Sequence, residues 1–319
     1  AARNTISNIN KISSSLRKDL IPSVQDTGRQ FSLLDNFVGQ STETMNGLLG
    51  IVSKVAVWGI ATSAVYGTKS ALKELFQTYV EIEDKLISIK RVSDNLDISK
   101  IFSGAYEYAQ KYGATLMDML NSTEEIARSY SGLNENQVLA AAQAGVLAST
   151  IAEMKGEDAV GTIIAVSNAY GLAIENGERL IDMLNEVDNN FSVTSANIAS
   201  AWEKSAATAK TFGVEIHNLT GYIAAISTVT QESGDVIGNG LKTIFSRITT
   251  MKAATDAVKS AGVEIYDSMG KVRAVQDILK DLAENWDGLT DSQRQNISVQ
   301  VAGRYQLTRF LALMNNWNI

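Results

Sequence analysis

A single proline, Pro22, is the sequence feature that most constrains how this 319-residue chain folds. Proline removes a backbone donor and clashes with the preceding helical turn, so its near absence leaves long helices uninterrupted. Hydrophobic residues make up 45% of the chain but aromatic residues only 7%, so alanine, leucine, isoleucine and valine dominate the apolar content. The sequence predicts an all-α protein with long N-terminal helices followed by an irregular stack of helical hairpins.

Charge and cysteine usage exclude two classes of function. The net charge is −7 with a pI near 5.0, and no basic run is longer than the two residues Lys90-Arg91. Nucleic-acid binding depends on dense lysine and arginine patches, so no sequence-specific nucleic-acid binding is expected. Because cysteine is absent, the chain has neither disulfides nor thiolate chemistry.

The helical pattern predicts two regions that meet at Asn95-Leu96-Asp97. Residues 1–95 are expected to form an extended helical or coiled segment, and residues 96–319 a compact α-helical region. The chain opens Ala1-Ala2 without methionine and ends just after the apolar run 310–314. It is therefore expected to be a fragment of a longer protein.

Residues 47–65 form an apolar run about as long as the roughly 20 residues that span a bilayer. Lys54 lies near its middle, where a lysine costs a few kcal/mol (about 2.5–3.5) in a membrane. The first interpretation is a buried or oligomer-facing helix. The alternative is a membrane-active segment that contacts the host membrane.

A short glycine motif recurs at four predicted helix ends, in Tyr112-Gly113, Tyr170-Gly171, Phe212-Gly213 and Ala261-Gly262. Glycine at such an end supplies a left-handed C-cap, and the aromatic residue before it is expected to pack the corner. Three capping boxes are also predicted: Ser122 with Glu125, Asn134 with Gln137, and Thr290 with Gln293. Residues 263–273 are predicted to form one small β-hairpin around the turn at 268–270.

Few residues of the sequence are candidates for catalysis. His217 is the only histidine, and a zinc site needs several converging ligands, so a surface or cap position is predicted. The acidic pairs Glu124-Glu125 and Glu186 with Asp188 fit solvated helix faces. Residues 234–240 lack the ending of a phosphate loop. No catalytic, cofactor-binding or metal-binding residue is predicted, and the chain is not expected to be an enzyme.

The segment 231–251 is unusual because Gly238 and Gly240 lie inside a well-patterned helix. Each interior glycine costs about 1 kcal/mol relative to alanine. The apolar face nevertheless recurs every three or four residues, which predicts that another helix passes very close. In the last helix, Phe310, Leu313, Met314 and Trp317 form an apolar stripe. That stripe fits either core packing or a coiled coil that continues beyond Ile319.

Three blocks of sequence resemble the core region of phage tail tape measure proteins. They are LIDMLNEVDNNF at 180–191 with SAWEKS at 200–205, GYIAAI at 221–226 running into QESGDVIGNGLKTIFSR at 231–247, and WDGLT at 286–290 with VAGRYQL at 301–307. Each block is weakly specific alone, and together they cover about residues 100–319 in the family's order. Arg247, at the end of the second block, is interpreted as a structural anchor for a neighbouring turn.

The resemblance implies a structural protein of the virion. Such proteins extend along the tail lumen, template the polymerisation of the tail tube, and leave ahead of the DNA during infection. The implied partners are tail-tube protein, tail assembly chaperones and tail-tip or baseplate proteins, with homo-oligomers expected. The implied locations are the tail lumen, the host cytoplasm during assembly, and the host membrane on ejection. A helical pore-forming protein and a cytoplasmic helical adaptor are the rival interpretations.

Overall fold

The computed structural model describes residues 69–151, 154 and 156–317. The predictions made for residues 1–68, including the apolar run at 47–65, lie outside the described residues. From Phe76 onward the described residues form one compact unit. Within the described part of the chain, no helix combines the length and the apolar character needed to cross a bilayer.

Thirteen α-helices build the described residues. The first seven are α1 (Lys69–Val92), α2 (Ile98–Tyr112), α3 (Leu116–Ser129), α4 (Glu135–Ile151), α5 (Gly156–Tyr170), α6 (Gly177–Asn190) and α7 (Ser195–Thr211). The remaining six are α8 (Ile216–Thr230), α9 (Gly234–Thr250), α10 (Lys252–Ser260), α11 (Val275–Trp286), α12 (Asp291–Ala302) and α13 (Leu307–Asn315). A single 3₁₀ turn, Ile174–Asn176, precedes α6. The all-α prediction is confirmed.

The predicted β-hairpin at 263–273 forms only one antiparallel bridge, between Tyr266 and Val272. No strand is assigned between residues 69 and 317, leaving aside the few positions not described. The Asp267 carboxylate accepts hydrogen bonds from the backbone N–H groups of Met269 and Lys271, and this tight turn holds the bridge. Backbone hydrogen bonds from Asp267 to Lys271 and from Arg273 to Ile265 flank the bridge.

The glycine corners are confirmed. Gly113, Gly171, Gly213 and Gly262 have φ values of 72°, 64°, 73° and 77°, in the left-handed region that disfavours residues with a Cβ. The expected packing of the preceding aromatic holds at Tyr170, which is buried and donates its hydroxyl to the Val214 carbonyl at 2.9 Å. It is wrong at Tyr112, whose ring is 53% exposed and stacks on Tyr108.

Two of the three predicted capping boxes form. Asn134 and Gln137 exchange reciprocal side-chain to backbone hydrogen bonds, and Thr290 with Gln293 makes a complete capping box at the start of α12. The prediction for Ser122 is wrong, because Ser122 is buried in the middle of α3. Thr115 caps α3 instead, by accepting a hydrogen bond from the Asp118 N–H.

The first helices form a stack in which each packs on the next and on the second helix along. Helices α2, α3 and α4 have 15, 14 and 17 residues, and α5, α6 and α7 repeat those lengths. Small residues allow close approach: a Cβ on Gly145 of α4 would overlap the Val160 side chain on α5. Helices α4 and α5 are therefore in close contact at Gly145.

The chain then folds back on itself, because α13 returns to pack on α8 and also contacts α9, α11 and α12. Its residues Phe310, Leu313 and Met314 are buried, which confirms core packing for the terminal stripe. Phe310 meets the Trp286 ring edge-on at 5.9 Å, and Trp317 lies 5.2 Å from the Tyr222 ring. This return places the conspicuous segment 231–251 at the centre of the helical assembly.

Candidate functional site

The closest helix contact is the crossing of α9 over α7, made by Gly234 and Gly238. A Cβ at Gly234 would overlap the Asn197 carbonyl oxygen, and one at Gly238 would lie 2.6 Å from the Ala201 carbonyl oxygen. Both obstacles are backbone atoms, which cannot move aside as a side chain can. The two glycines are one helical turn apart, so they share one face of α9. The predicted close helix is therefore α7.

Polar contacts fix the position of this crossing. The Asn197 Oδ1 accepts a hydrogen bond from the Gly234 N–H at 3.3 Å, at the N-terminus of α9. Asp235 accepts from the Ser200 hydroxyl at 2.8 Å and pairs with Lys204 at 3.4 Å. The Ser200 hydrogen bond, with the charge of Lys204, lowers the pKa of Asp235. The negative charge that results suits the N-terminal end of the helix dipole.

A second glycine contact joins α9 to the start of α13. A Cβ on Gly240 would lie 2.7 Å from the Arg309 Cδ. The Arg309 Nε lies 2.7 Å from Glu232 Oε2, and Arg309 Nη2 donates to Glu232 Oε1 at 2.7 Å. These side chains are only 13% and 30% exposed. This ion pair ties the α8–α9 turn to α13, across 77 residues of sequence.

Arg247 and Arg294 each cap the C-terminus of another helix. Arg247 Nε and Nη2 donate to the Val301 and Gln300 carbonyls in the last turn of α12, at 3.1 and 2.9 Å. Arg294 donates in the same way to the carbonyls of Trp286 and Asp287 at the end of α11. A guanidinium there satisfies orphan carbonyls and opposes the negative end of the dipole. Arg247 anchors the turn after α12, as interpreted from the sequence.

Glu124 is a buried ion-pair centre, so its assignment to a solvated helix face is wrong. It accepts hydrogen bonds from Lys85 Nζ and Ser88 Oγ of α1, both at 2.5 Å, and from Arg128. Burial opposes ionisation, but these three donors outweigh it and lower the pKa of Glu124 to about 2. This cluster holds α1 against α3, together with the buried apolar residues of α1.

Replacing Glu124 by glutamine is expected to loosen α1, because two cationic partners lose their counter-charge. We expect a loss of about 1–2 kcal/mol in the local opening free energy of α1, read from hydrogen exchange over residues 78–92. The native pKa of about 2 lies below the ordinary value of 4.5. The contribution is therefore complete above pH 4.5 and is lost as the pH falls towards 2. Glu107→Gln, at an exposed position on α2, is the matched control. It should change neither the local opening free energy of α1 nor its dependence on pH.

The other acidic and histidine candidates serve local structure. His217 is exposed in the first turn of α8, as predicted. Asp188 accepts hydrogen bonds from the backbone and hydroxyl of Ser195, both at 2.8 Å, and so holds the start of α7. Glu186 accepts from Asn190 one turn later. Among the described residues, no group of three or more histidine and acidic side chains is placed to hold a metal ion.

Two shallow grooves lie beside these contacts. One, of about 320 Å³, lies between the α6–α7 and α8–α9 turns and includes Phe191, Asn197 and Gln231. The other, of about 460 Å³, lies beside the end of α11 and includes Trp286, Met314 and Trp317. Gln231 adopts φ 53°, a left-handed conformation that ends α8. Asp188 and Glu232 line the first groove, where Ser195 binds the Asp188 carboxylate and Arg309 binds the Glu232 carboxylate.

The crossing helices lie within a segment that matches a known protein family. The model of the phage-related minor tail protein family matches residues 105–303, more than half of the chain. The chain belongs to this family. As a phage-related minor tail protein it has a structural role in the phage tail and is located in the virion.

Two curated relatives of this minor tail protein are named as tape measure proteins. One is the probable tape measure protein of Escherichia phage P2, 23% identical over 258 residues that cover 79% of this chain and 31% of the relative. The other is the tape measure protein of Pneumococcus phage Dp-1, 22% identical over 223 residues, covering 69% of this chain and 19% of the relative. The chain thus spans a third or less of either relative. No solved structure matches it significantly.

The comparisons confirm the resemblance to phage tape measure proteins inferred from the three sequence blocks. The structure brings the second and third blocks together, because Arg247 of one caps the helix that ends in the other. Tyr305 of the third block is 93% exposed, and only its backbone carbonyl is used, by Arg309. Sequence reasoning missed Arg309 and Arg294 and assigned Glu124 to the wrong environment, because decisive partners of all three lie on other elements.

Proposed function

We propose that this minor tail protein is a helical segment of a tape measure protein that sets tail length by templating tail-tube polymerisation. The observation that carries the proposal is the family match over residues 105–303, together with relatives named for that role. The contacts around Gly238, Arg247 and Arg309 pack helices together and anchor one helix to another, which fits a structural role. During infection, the protein would leave ahead of the DNA and assist its passage.

A helical chain is a suitable ruler because its length follows directly from its number of residues. An α-helix rises about 1.5 Å per residue, so the summed length of extended helices translates into tail length. The partners proposed for this role are tail-tube protein, tail assembly chaperones and tail-tip or baseplate proteins. Several copies are proposed to run together in the lumen, after assembly in the host cytoplasm.

The compact region poses a problem of size. A folded domain of about 220 residues has a radius of gyration of roughly 17 Å, which gives a diameter above roughly 40 Å. Several such domains side by side do not fit a tube built for one DNA duplex. We therefore propose that residues 96–319 stay folded at one end of the tail, or extend before packaging, while residues 1–95 form an extended segment. Compact density repeated along the middle of the tube in cryo-EM maps would exclude this arrangement.

In-frame deletions in the parent gene test the ruler directly. Removing about 60 residues from within residues 1–68, predicted to be helical, should shorten tails by about 90 Å, measured by negative-stain electron microscopy. Replacing the same stretch by an unrelated helical sequence of equal length is the matched control and should restore the tail. Tails of unchanged length on otherwise normal particles would refute the ruler.

Host-membrane contact through residues 47–65 is a separate proposal, which rests on the apolar character of that run. Leakage from liposomes that disappears when residues 47–65 are deleted would support it. Leakage that persists in the deleted chain would refute it.

A cytoplasmic helical adaptor is the other alternative. It predicts that the chain does not co-purify with tail-tube protein or its chaperones, so a co-purification experiment separates the adaptor from the tape measure.

A further inference from the structure

We propose that the described helices open in a fixed order, with α1–α6, the open stack, releasing before α7–α13, the closed segment. The proposal concerns the folded chain itself and holds whether or not the protein measures tail length. It rests on how far apart in sequence the bonded residues lie, and on the size of the side chains that each segment buries.

The open stack is held by contacts of short, nearly constant range. Its inter-helix hydrogen bonds join residues 35 to 39 positions apart: Lys85 and Ser88 to Glu124, Asn95 to Leu133, Asp97 to Glu135, Tyr108 to Gln143, and Gln137 to Glu175. Each helix is thus bound mainly to the next helices along. In such an array an end unit can leave without disturbing units beyond its neighbours.

The closed segment contains contacts of longer range. Arg247 reaches carbonyls 53 and 54 residues away, Gln276 is bonded to residues 58 and 61 positions away, and Arg309 reaches Glu232 across 77 residues. These bonds connect α8 to α11, α9 to α12, and the α8–α9 turn to α13. Releasing α8, α9, α11, α12 or α13 therefore breaks a contact with a helix far along the segment, so the segment should open as a unit.

The size of the buried side chains also indicates that the open stack releases before the closed segment. The four largest fully buried side chains, Trp202, Trp286, Phe245 and Phe310, all lie in the closed segment. Helix α4 in the open stack buries many small side chains, including Ala141, Ala142, Ala144 and Ala148. Hydrophobic stabilisation scales with the apolar area removed from water, at about 25 cal/mol per Å². Each residue of α4 therefore contributes less than the aromatic residues of the closed segment.

Two specific hydrogen bonds join α5 of the open stack to the closed segment. Thr162 donates to Glu203 of α7 at 2.7 Å, and the Tyr170 hydroxyl donates to the Val214 carbonyl at 2.9 Å. Both are neutral donors on one helix. Helix α6 adds the hydrogen bonds of Ser195 to the Asp188 carboxylate and of the Thr220 hydroxyl to the Met183 sulfur. None of these contacts is an ion pair of long sequence range such as the one between Glu232 and Arg309, so the two parts separate along this boundary.

The tryptophans allow the order to be measured, since Trp202, Trp286 and Trp317 all report on the closed segment and α1–α6 contain none. In the full chain with Trp58→Phe, we expect urea to abolish part of the helical circular dichroism before tryptophan fluorescence changes. Hydrogen exchange at low urea assigns that early phase. Peptides from residues 98–190 should show protection at least tenfold lower than peptides from 195–315.

A variant that weakens the closed segment provides the second arm. Arg309→Met should lower hydrogen-exchange protection in α8–α13 and leave protection in α2–α4 unchanged. The difference in protection between the open stack and the closed segment should therefore become smaller. Gly161→Ala, at a position where a Cβ meets no atom within 4 Å, should raise protection only in the open stack. Equal protection across residues 98–315 in the parent chain, or lower protection in 195–315, would overturn the proposed order.

Discussion

Alanine at Gly238 is expected to lower the free energy of unfolding of the closed segment by about 2–3 kcal/mol, near the upper end of overpacking costs. The added Cβ would lie 2.6 Å from the Ala201 carbonyl oxygen, 2.9 Å from the Lys204 Cβ and 3.1 Å from the Ala201 Cα. Helices α7 and α9 must move apart to accept it, which also separates the buried residues on either side. The change is measured in the Trp58→Phe background, as a shift of the urea transition followed by tryptophan fluorescence.

Gly221→Ala is the matched control for this substitution. Gly221 also lies inside a helix, α8, but a Cβ there meets nothing within 4 Å and the position is exposed. The Gly221→Ala substitution should raise the free energy of unfolding by about 0.5–1 kcal/mol, because glycine loses more conformational freedom than alanine when the chain folds. Gly240→Ala should have a smaller effect than Gly238→Ala, since only the flexible side chains of Gln306 and Arg309 stand in the way. Equal effects at 221 and 238 would show that the crossing does not require glycine.

Replacing Arg309 by methionine is expected to destabilise the closed segment by about 2–3 kcal/mol, because the Glu232 carboxylate is left half-buried without its partner. The Glu232 side chain is 30% exposed, so the expected loss of stability is smaller than for a fully buried ion pair. Methionine retains most of the apolar stem of arginine, so the change removes the charge together with the hydrogen bonds to Gln306 and to the Tyr305 carbonyl. The measurement is again urea unfolding followed by tryptophan fluorescence.

Two further variants make this interpretation specific. Lys252→Met removes another ion pair, with Asp256 at 2.8 Å, but its partners are 88% and 57% exposed. Its loss should therefore cost less than about 0.5–1 kcal/mol. In the double variant with Glu232→Leu, the uncompensated carboxylate is gone, so part of the stability lost in Arg309→Met should return. A double variant no more stable than the Arg309→Met single variant would refute the ion-pair explanation.

Local chemistry allowed much of this fold to be predicted. Gly113, Gly171, Gly213 and Gly262 mark helix ends because each needs a positive φ, and neighbouring residues alone establish that requirement. The capping boxes at Asn134 and Thr290 depend on groups only three residues apart. The apolar periodicity of 231–251 likewise indicated a helix with a closely approaching neighbour.

Features that depend on distant partners were not predictable in the same way. Glu124 resembles any charged helix residue until α1 brings Lys85 and Ser88 to it from 39 and 36 positions away. Ser122 has the spacing of a cap, but the fold buries it inside α3. Arg309 meets Glu232 only because α13 returns to α8 and α9. Single-sequence patterns record local preference, whereas these pairs are determined by tertiary packing.

The anchors made by Arg247 and Arg294 have a consequence for how such a protein diverges. Both guanidinium groups bind main-chain carbonyls, which every amino acid supplies. Substitution at Gln300, Val301 or Asp287 leaves the acceptor in place, so one arginine maintains each joint without any matching change in its partner. Joints of this kind tolerate extensive sequence drift, and homologues related at 22–23% identity can keep the same inter-helix geometry while few of their side chains agree.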